Sequence, residues 1–228
     1  MRACEALGKE VEKSARAGHF PIVLGGDHSI VMGTMAGLVK AKGPQGIIYV
    51  DAHGDFNTMD TTPSGNIHGM GLAACVGLGN PKLVDIGGFS PKVKPANVAL
   101  IGVRDLDPGE KDLIKKADIY VATMRDIDEK GIAKVVKEAI ERVKDGTRGV
   151  HVTFDVDVLD PSEAPGTGTP VPGGITFREA HLMLEILAER NIPTSFELVE
   201  VNPLLDQRNT TADLAVGLVE SVIGKTIL

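Results

Sequence analysis

Residues 46–57 read GIIYVDAHGDFN, in which an apolar run is followed by two carboxylates and an imidazole at every second position. The apolar part, Gly46–Val50, predicts a buried β-strand because it is short and continuous. Side chains of a strand alternate between the faces of a sheet, so Asp51, His53 and Asp55 are expected to point the same way. Burying three such groups is costly unless something binds them. A metal ion would account for the pattern.

Further apolar runs of similar length predict five more buried strands, with helices between them. The predicted strands are Pro21–Leu24, Val98–Gly102, Ile119–Ala122, Val150–Phe154 and Thr194–Val199. The predicted helices are Ile132–Val143, Phe177–Arg190 and Thr211–Val222. Alternation of strand and helix predicts an α/β fold whose parallel sheet is covered on both faces. The charged run Arg125–Lys144 is predicted to be the solvated side of one amphipathic helix.

The composition is that of an ordinary globular protein and argues against several classes of function. The 228 residues are 43% hydrophobic and 24% charged, with a formal net charge of −7, and suit one domain or two small ones. The negative charge argues against nucleic-acid and membrane partners, and the lack of Trp argues against base stacking. The apolar runs fall well short of the roughly 18 residues that cross a bilayer. Cys4 and Cys75 lack CxxC spacing, which predicts reduced thiols in a cytoplasmic protein.

Two long connections are candidates for functional loops. Residues 54–67 are polar without periodicity, and residues 158–176 are rich in Gly and Pro. Loops longer than about 12–15 residues are uncommon in compact domains and are often functional. Both connections begin just past the end of a predicted strand, where open α/β sheets bind ligands.

Polar clusters follow three of the predicted strands, and a parallel sheet would bring them to one edge. The set comprises two imidazoles and four carboxylates, namely His28, His53, Asp51, Asp55, Asp155 and Asp157. Four unpaired carboxylates would repel one another, whereas two divalent cations would cancel their charge. Carboxylates with a minority of His favour a hard or borderline ion, and Mn²⁺ fits better than a thiolate-bound Zn²⁺, with Co²⁺ or Ni²⁺ still open.

Five ordered motifs, GGDHS, DAHGDFN, SGNIHG, DVDVLDPSEAPGTGTPVPGG and ELVEVNP, resemble the ureohydrolase superfamily and, within it, the arginases of bacterial type. The resemblance extends from Phe20 to the C-terminus. It implies a three-layer αβα fold of the arginase/deacetylase kind, with a mainly parallel sheet, as a single catalytic domain over residues 1–228. Family members carry a further N-terminal segment that includes a strand, so this chain is expected to lack that strand region and to expose the edge beside Pro21–Leu24.

The resemblance also implies two Mn²⁺ per chain and a ligand set for each ion. One ion would be held by His28, Asp51, Asp55 and Asp155, and the other by His53, Asp51, Asp155 and Asp157. Asp51 and Asp155 would therefore bridge the ions. Ions about 3.5–4 Å apart can share a hydroxide.

The implied reaction is hydrolysis of L-arginine to L-ornithine and urea by that metal-bridging hydroxide. A guanidinium keeps its proton, with a pKa above about 12, and is a poor electrophile. Metal coordination supplies a strong nucleophile by lowering the pKa of water from 15.7 to about 7 in favourable sites. By resemblance, His68 shuttles protons and Glu200 pairs with the guanidinium, and these two with the ligand Asp55 are the predicted catalytic residues.

Binding of the amino-acid end of the substrate is also implied by the resemblance. The predicted contacts are Asn57 and Ser64 for the α-carboxylate, Asp107 for the α-ammonium and Thr169 beside the metal-bound solvent. Asn66, which belongs with Ser64 to the SGNxHG signature, is also a predicted substrate-binding residue. Two alternatives are an agmatinase or other guanidino-substrate ureohydrolase, and a catalytically silent metal-binding form. The family usually forms homo-oligomers, as trimers or hexamers. Thr153 stands where family members usually have Ser, and Asp160 is expected to cap a turn rather than bind metal.

Overall fold

The computed structural model describes residues 1–226 and contains one six-stranded sheet in the order β1-β6-β5-β2-β3-β4. The strands are β1 (Ile22–Leu24), β2 (Gly46–Val50), β3 (Val98–Val103), β4 (Tyr120–Thr123), β5 (Val150–Asp155) and β6 (Pro193–Val199). Each predicted strand is confirmed to within one residue at either end. Every pairing is parallel, so the sheet is wholly rather than mainly parallel.

Nine α-helices of the described residues form the layers on the two faces of the sheet. They are α1 (Arg2–Arg16), α2 (Val31–Lys42), α3 (Gly71–Cys75), α4 (Pro81–Val84), α5 (Pro108–Lys116), α6 (Met124–Lys130), α7 (Ile132–Lys144), α8 (Phe177–Glu189) and α9 (Thr210–Val222). Buried residues of α1–α5 pack in one core and those of α6–α9 in the other. The three-layer fold and the three predicted helices are confirmed.

The charged run Arg125–Lys144 belongs to two helices, so the prediction of one helix is wrong. The chain breaks at Gly131, whose φ of 79° ends α6 and begins α7. Glycine adopts this left-handed conformation without the penalty that a side chain would bring. The apolar face of α7 is nevertheless buried as its spacing predicts.

The order of the strands fixes where a ligand can bind. From β2 the chain continues to β3 and β4 on one side, whereas β5 and β6 lie on the other. The reversal occurs between β2 and β5, and open α/β sheets bind ligands in the crevice outside the carboxyl ends at such a point. The loops after β2 and β5 are those that carry the Asp and His motifs.

The sheet has an exposed edge at β1, as expected. Only β6 pairs with β1 in the described residues, and Ile22 and Leu24 are 40% and 71% exposed. In residues 1–226 no helix is both long and apolar enough to cross a membrane. The assignment of residues 1–228 to a single catalytic domain stays a prediction, and its last two residues lie outside the described part.

Candidate metal centre

The loop after β2 does not follow the alternation that its sequence suggests. The strand ends at Val50, and residues 51–57 form no regular structure. Asp55 has a φ of 48°, in the left-handed region that non-glycine residues rarely adopt, and its carbonyl oxygen accepts from the N–H groups of Leu72 and Ala73 at 3.0 and 3.1 Å. The prediction that Asp51, His53 and Asp55 share one face of a strand is therefore wrong. Loop geometry, not strand pleating, directs them to one site.

The first group of candidate ligands surrounds the buried ring of His28. Its Nδ1 lies 3.0 Å from Asp51 Oδ2, 3.2 Å from Asp155 Oδ2 and 3.4 Å from Asp55 Oδ2. Tyr49 stacks on the ring, with centroids 4.4 Å apart, and its hydroxyl donates to Asp55 Oδ2 at 2.6 Å. One ring nitrogen holds at most one proton and cannot satisfy three carboxylates.

The second group surrounds His53, which is only partly buried. Its Nδ1 lies 2.9 Å from Asp157 Oδ2 and 3.4 Å from Asp51 Oδ1. Thr169 donates its hydroxyl proton to Asp157 Oδ2 at 3.1 Å. The structure thus defines two groups, His28–Asp51–Asp155 and Asp51–His53–Asp157, each with ligand atoms within 4.8 Å of one another. Asp51 belongs to both groups, and Asp55 adjoins the first.

The surrounding carboxylates raise the pKa of both histidines. Burial alone would lower the pKa of His53, but hydrogen bonds to Asp157 and Asp51 outweigh it and raise the pKa to about 12. For His28 burial again opposes protonation, yet the hydrogen bonds to Asp155 and Asp51 raise the pKa well above its usual range. The raised pKa of both rings reflects the negative charge that is concentrated around them.

Burial acts on the pKa of the carboxyl groups in the opposite direction to its action on the histidines, because it raises a carboxyl pKa. Burial, and then the charge of neighbouring Asp residues, raises the pKa of Asp55 and Asp155 well above the usual range and raises that of Asp157. Burial also opposes ionisation of Asp51, but the two histidines outweigh it and lower its pKa. The buried Oδ2 of Asp51 has no partner with hydrogen-bond geometry, although His28 Nδ1 is near. This oxygen- and imidazole-rich set with an orphaned acceptor fits two divalent cations.

Glu200 lies beside the metal-ligand cluster rather than in it. Its Oε1 accepts from the backbone N–H of His28 at 2.7 Å, and its own N–H donates to the Gly26 carbonyl at 2.9 Å. The backbone of Glu200 is left-handed, with a φ of 65°. Burial raises the pKa of its carboxyl group. The carboxylate is therefore held at a fixed position next to the first group of ligands.

A cavity of about 260 Å³ opens from this centre. Its lining includes the predicted substrate-binding and proton-transfer residues other than Glu200, namely Asn57, Ser64, Asn66, His68, Asp107 and Thr169. The candidate ligands His53 and Asp55 also belong to its lining. The structure therefore brings these predicted residues together around one cavity, to which the ligand groups are joined through His53. Their roles in binding remain predictions.

Asp107 also has a structural role that the sequence argument did not include. It is the N-cap of α5, and its Oδ2 accepts from Asn57 Nδ2 at 2.9 Å. Asp160 caps a turn as expected, since its carboxylate accepts from the N–H groups of Ser162, Gly173 and Gly174. It belongs to neither of the two ligand groups found in residues 1–226.

Glu110 supports the ligand loop and was missed by the sequence analysis. Its Oε1 accepts from the N–H of Phe56 at 2.7 Å, and its Oε2 accepts from the N–H of Asp107 at 3.2 Å. The second bond completes a capping box at the start of α5. The segment Asp107-Pro-Gly-Glu110 carries the signal for this box, an N-cap residue followed three positions later by Glu.

The buried carboxyl group of Glu110 is expected to make the stability of the protein depend on pH. Burial raises its pKa to about 7, so the folded state favours the neutral acid. This stabilising contribution is present at low pH and is lost as the pH rises from the usual value of about 4.3 through about 7. We expect the unfolding free energy of the wild type, relative to Glu110→Gln, to fall by about 2–3 kcal/mol between pH 5 and 8. Urea unfolding with excess chelator measures it, and a constant difference would contradict the prediction.

Arg104 anchors the long loop after β5 and was also missed. Its guanidinium donates to six backbone carbonyl oxygens, those of Gly102, Asp157, Val158, Leu159, Val171 and Pro172. These bonds tie the two ends of the loop to β3. No local pattern indicates this role, because the partners lie more than 50 residues along the chain, apart from Gly102.

Arg104→Lys is expected to lower the unfolding free energy by about 2–4 kcal/mol. A lysine has three donors on one atom and cannot span the carbonyls that the planar guanidinium reaches, and each bond lost costs about 1 kcal/mol. Urea unfolding measures the change. Arg125→Lys is the matched control, because Arg125 is exposed and its ion pair within residues 1–226 is the surface contact with Glu129. Equal effects of the two substitutions would contradict the anchoring role.

The wholly parallel sheet between helical layers, with paired ligand groups at its switch point, defines a class of α/β proteins built to hold two metal ions. Within that class the chain belongs to the arginase family of hydrolases, whose family model matches residues 1–224. The resemblance seen in the motifs is thereby confirmed.

Individual relatives agree with this assignment. The arginase of Bacillus caldovelox is 54% identical over 99% of this chain and 76% of its own length, and its solved structure superposes with a TM-score of 0.96, covering 75% of that chain. The arginase of Brevibacillus brevis is 54% identical over 100% of this chain and 76% of its own length. An Entamoeba histolytica arginase, solved in complex with L-ornithine, is 32% identical, with a TM-score of 0.87 over 97% of this chain and 77% of that chain. The chain is therefore shorter than these relatives.

Proposed function

We propose that this chain hydrolyses L-arginine to L-ornithine and urea with two Mn²⁺ ions. The observation that carries the proposal is the pair of His/Asp groups that share Asp51, one of which reaches the lining of a cavity through His53. Arginases at 54% identity over nearly the whole chain support the substrate and the reaction. The proposed ligands are those implied by the motifs, with Asp51 and Asp155 shared between the ions. Bound there, the ions would activate a water molecule for attack at neutral pH.

Substrate binding and proton transfer are assigned to side chains of the protein. Glu200, held by the His28 N–H, would pair with the planar guanidinium through its remaining oxygen. His68, in the cavity lining, would carry a proton to the leaving amine. Asn57, Ser64 and Asn66 would bind the α-carboxylate.

Asp107 would bind the α-ammonium, and its position supports this role. Its carboxylate is exposed to the cavity beside Asn57, which would place a negative group next to the carboxylate-binding amides. Agmatine lacks the α-carboxylate and would leave those amides unpaired, at a cost in affinity. We therefore propose that arginine is preferred to agmatine and to other guanidino compounds.

The experiment compares urea release from arginine and agmatine by the Mn²⁺-loaded protein, with elemental analysis of the same sample. We expect two Mn²⁺ per chain, a higher kcat/KM for arginine, and a loss of about 10²–10⁴-fold in His68→Ala. A preference for agmatine would favour a different ureohydrolase. Urea release indistinguishable from that of His68→Ala would favour a catalytically silent form.

We propose further that the chain is cytoplasmic and forms a homo-oligomer, either a trimer or a hexamer. Cys4 and Cys75 are both buried thiols without a disulfide, which supports a reducing compartment. The neighbouring Leu204 and Leu205 are 94% and 51% exposed, which supports contact with another copy of the chain. Sedimentation analysis tests the assembly, and a monomer at micromolar concentration would contradict it.

A further inference from the structure

A chain of buried hydrogen bonds runs from the far side of the His28 ring into the sheet. His28 Nε2 lies 2.9 Å from Thr153 Oγ1, and Thr153 donates its hydroxyl proton to Glu197 Oε1 at 3.0 Å. Thr153 and Glu197 are direct partners in the register of β5 and β6. All three side chains are fully buried. None of the predicted catalytic or substrate-binding roles uses Thr153 or Glu197.

The surroundings of Glu197 keep it ionised. Thr34 donates its hydroxyl proton to Oε2, and His151 Nε2 lies 4.0 Å from Oε1. Burial alone would raise the pKa of Glu197, but its polar neighbours, His151 first among them, outweigh it and the pKa is lowered. A carboxylate in this state can only accept hydrogen bonds.

An ionised Glu197 determines which group donates and which accepts in each of these hydrogen bonds. The single hydroxyl proton of Thr153 must go to Glu197, so the oxygen of Thr153 is left to accept from an Nε2–H of His28. A neutral imidazole with its proton on Nε2 has a free lone pair on Nδ1, the atom that faces Asp51 and Asp155. Ligating histidines commonly depend on such a partner behind the ring.

We propose that Glu197 is a positioning residue, which acts through Thr153 to hold His28 with Nδ1 free and aimed at one of the two metal ions. The inference rests on the proposed two-ion centre. It applies to one ion only, because His53 has no comparable support. Within residues 1–226 no hydrogen bond holds Nε2 of His53, and its ring is partly exposed. The two ions are therefore expected to respond differently to changes at Glu197.

Thr153 takes part in these hydrogen bonds through its hydroxyl group alone. Family members usually have Ser at this position, and a serine hydroxyl can make the same two bonds. Thr153→Ser should therefore behave like the wild type, whereas Thr153→Val keeps the shape and removes the hydroxyl. This pair separates the hydrogen bond from packing.

The test titrates the metal-free protein with Mn²⁺ and follows the signal of the free ion by electron paramagnetic resonance. We expect Glu197→Gln and Thr153→Val each to weaken one of the two affinities by about 10–100-fold and to leave the other within about threefold. Thr153→Ser should retain both affinities. The readout is metal binding and does not depend on activity.

Ser221→Ala is the matched control, since Ser221 is a buried hydroxyl of α9 bonded to His181 Nδ1 at 2.7 Å, and neither residue belongs to a ligand group. It should lose stability without changing either affinity. Unchanged affinities in Glu197→Gln and Thr153→Val, or equal loss in Thr153→Ser and Thr153→Val, would overturn the inference alone. A wild type that binds fewer than two ions would overturn the proposed function as well. If Glu197→Gln fails to fold, the two Thr153 variants still decide.

Discussion

Asp51→Asn is expected to abolish stable binding of both metal ions and to lower kcat/KM for arginine by about 10³-fold or more. Asp51 is the residue common to the two ligand groups, with Oδ2 3.0 Å from His28 Nδ1 and Oδ1 3.4 Å from His53 Nδ1. The amide removes one negative charge and replaces one acceptor oxygen by a donor, which would point at a cation. Elemental analysis after gel filtration measures the metal content.

The control for this prediction is Asp60→Asn. Asp60 is exposed in the loop after the ligand motif, and its substitution makes the same change of charge. It should retain two ions and wild-type urea release. An Asp51→Asn protein that still carries two ions would show that the groups are not joined through this carboxylate.

Glu200→Gln is expected to lower kcat/KM for arginine by about 30-fold to several thousand-fold while the metal content stays at two ions. The change corresponds to about 2–5 kcal/mol, the usual loss when one partner of a buried charge pair is neutralised. The effect on metal should be small because the Glu200 carboxylate accepts from the backbone N–H of His28 and belongs to neither ligand group of residues 1–226. Steady-state kinetics and elemental analysis of the same sample measure both quantities.

Glu189→Gln, at the exposed end of α8, is the matched control and should leave kcat/KM unchanged. Loss of metal in Glu200→Gln would assign this residue to the metal centre. Activity within a few-fold of the wild type would remove it from substrate binding.

Much of the fold was predictable because buried parallel strands leave short apolar runs that need no tertiary information. Helices α1 and α2 were not predicted, and the packing of α2 against α1 explains why α2 was missed. Every residue of α2 from Val31 to Leu38 is buried, so no polar face marks it. A Cβ on Gly33 would lie 2.3 Å from Cys4 O of α1, and one on Gly37 would lie 2.4 Å from Gly8 O. Glycine is here required by the close contact of two helices, although it is unfavourable for helix formation itself.

The candidate ligands were predictable for a similar reason, since the carboxyl ends of parallel strands meet at one edge. The route of the ligand loop was not, because the turn at Asp55 depends on backbone bonds to Leu72 and Ala73. Arg104 and Glu197 were beyond a reading of the sequence, since their partners are remote in the chain. What motifs identify is the set of ligands, while the groups that orient them emerge only from tertiary contacts.

The left-handed backbone at Asp55 and Glu200 lowers the stability of the fold at two positions whose side chains the proposed reaction needs. A side chain in this conformation costs about 1 kcal/mol or more at each position, and glycine would remove that cost. Screening variants for heat resistance alone would therefore favour loss of the two acidic groups. The variants of this protein that such a screen finds most stable would be inactive.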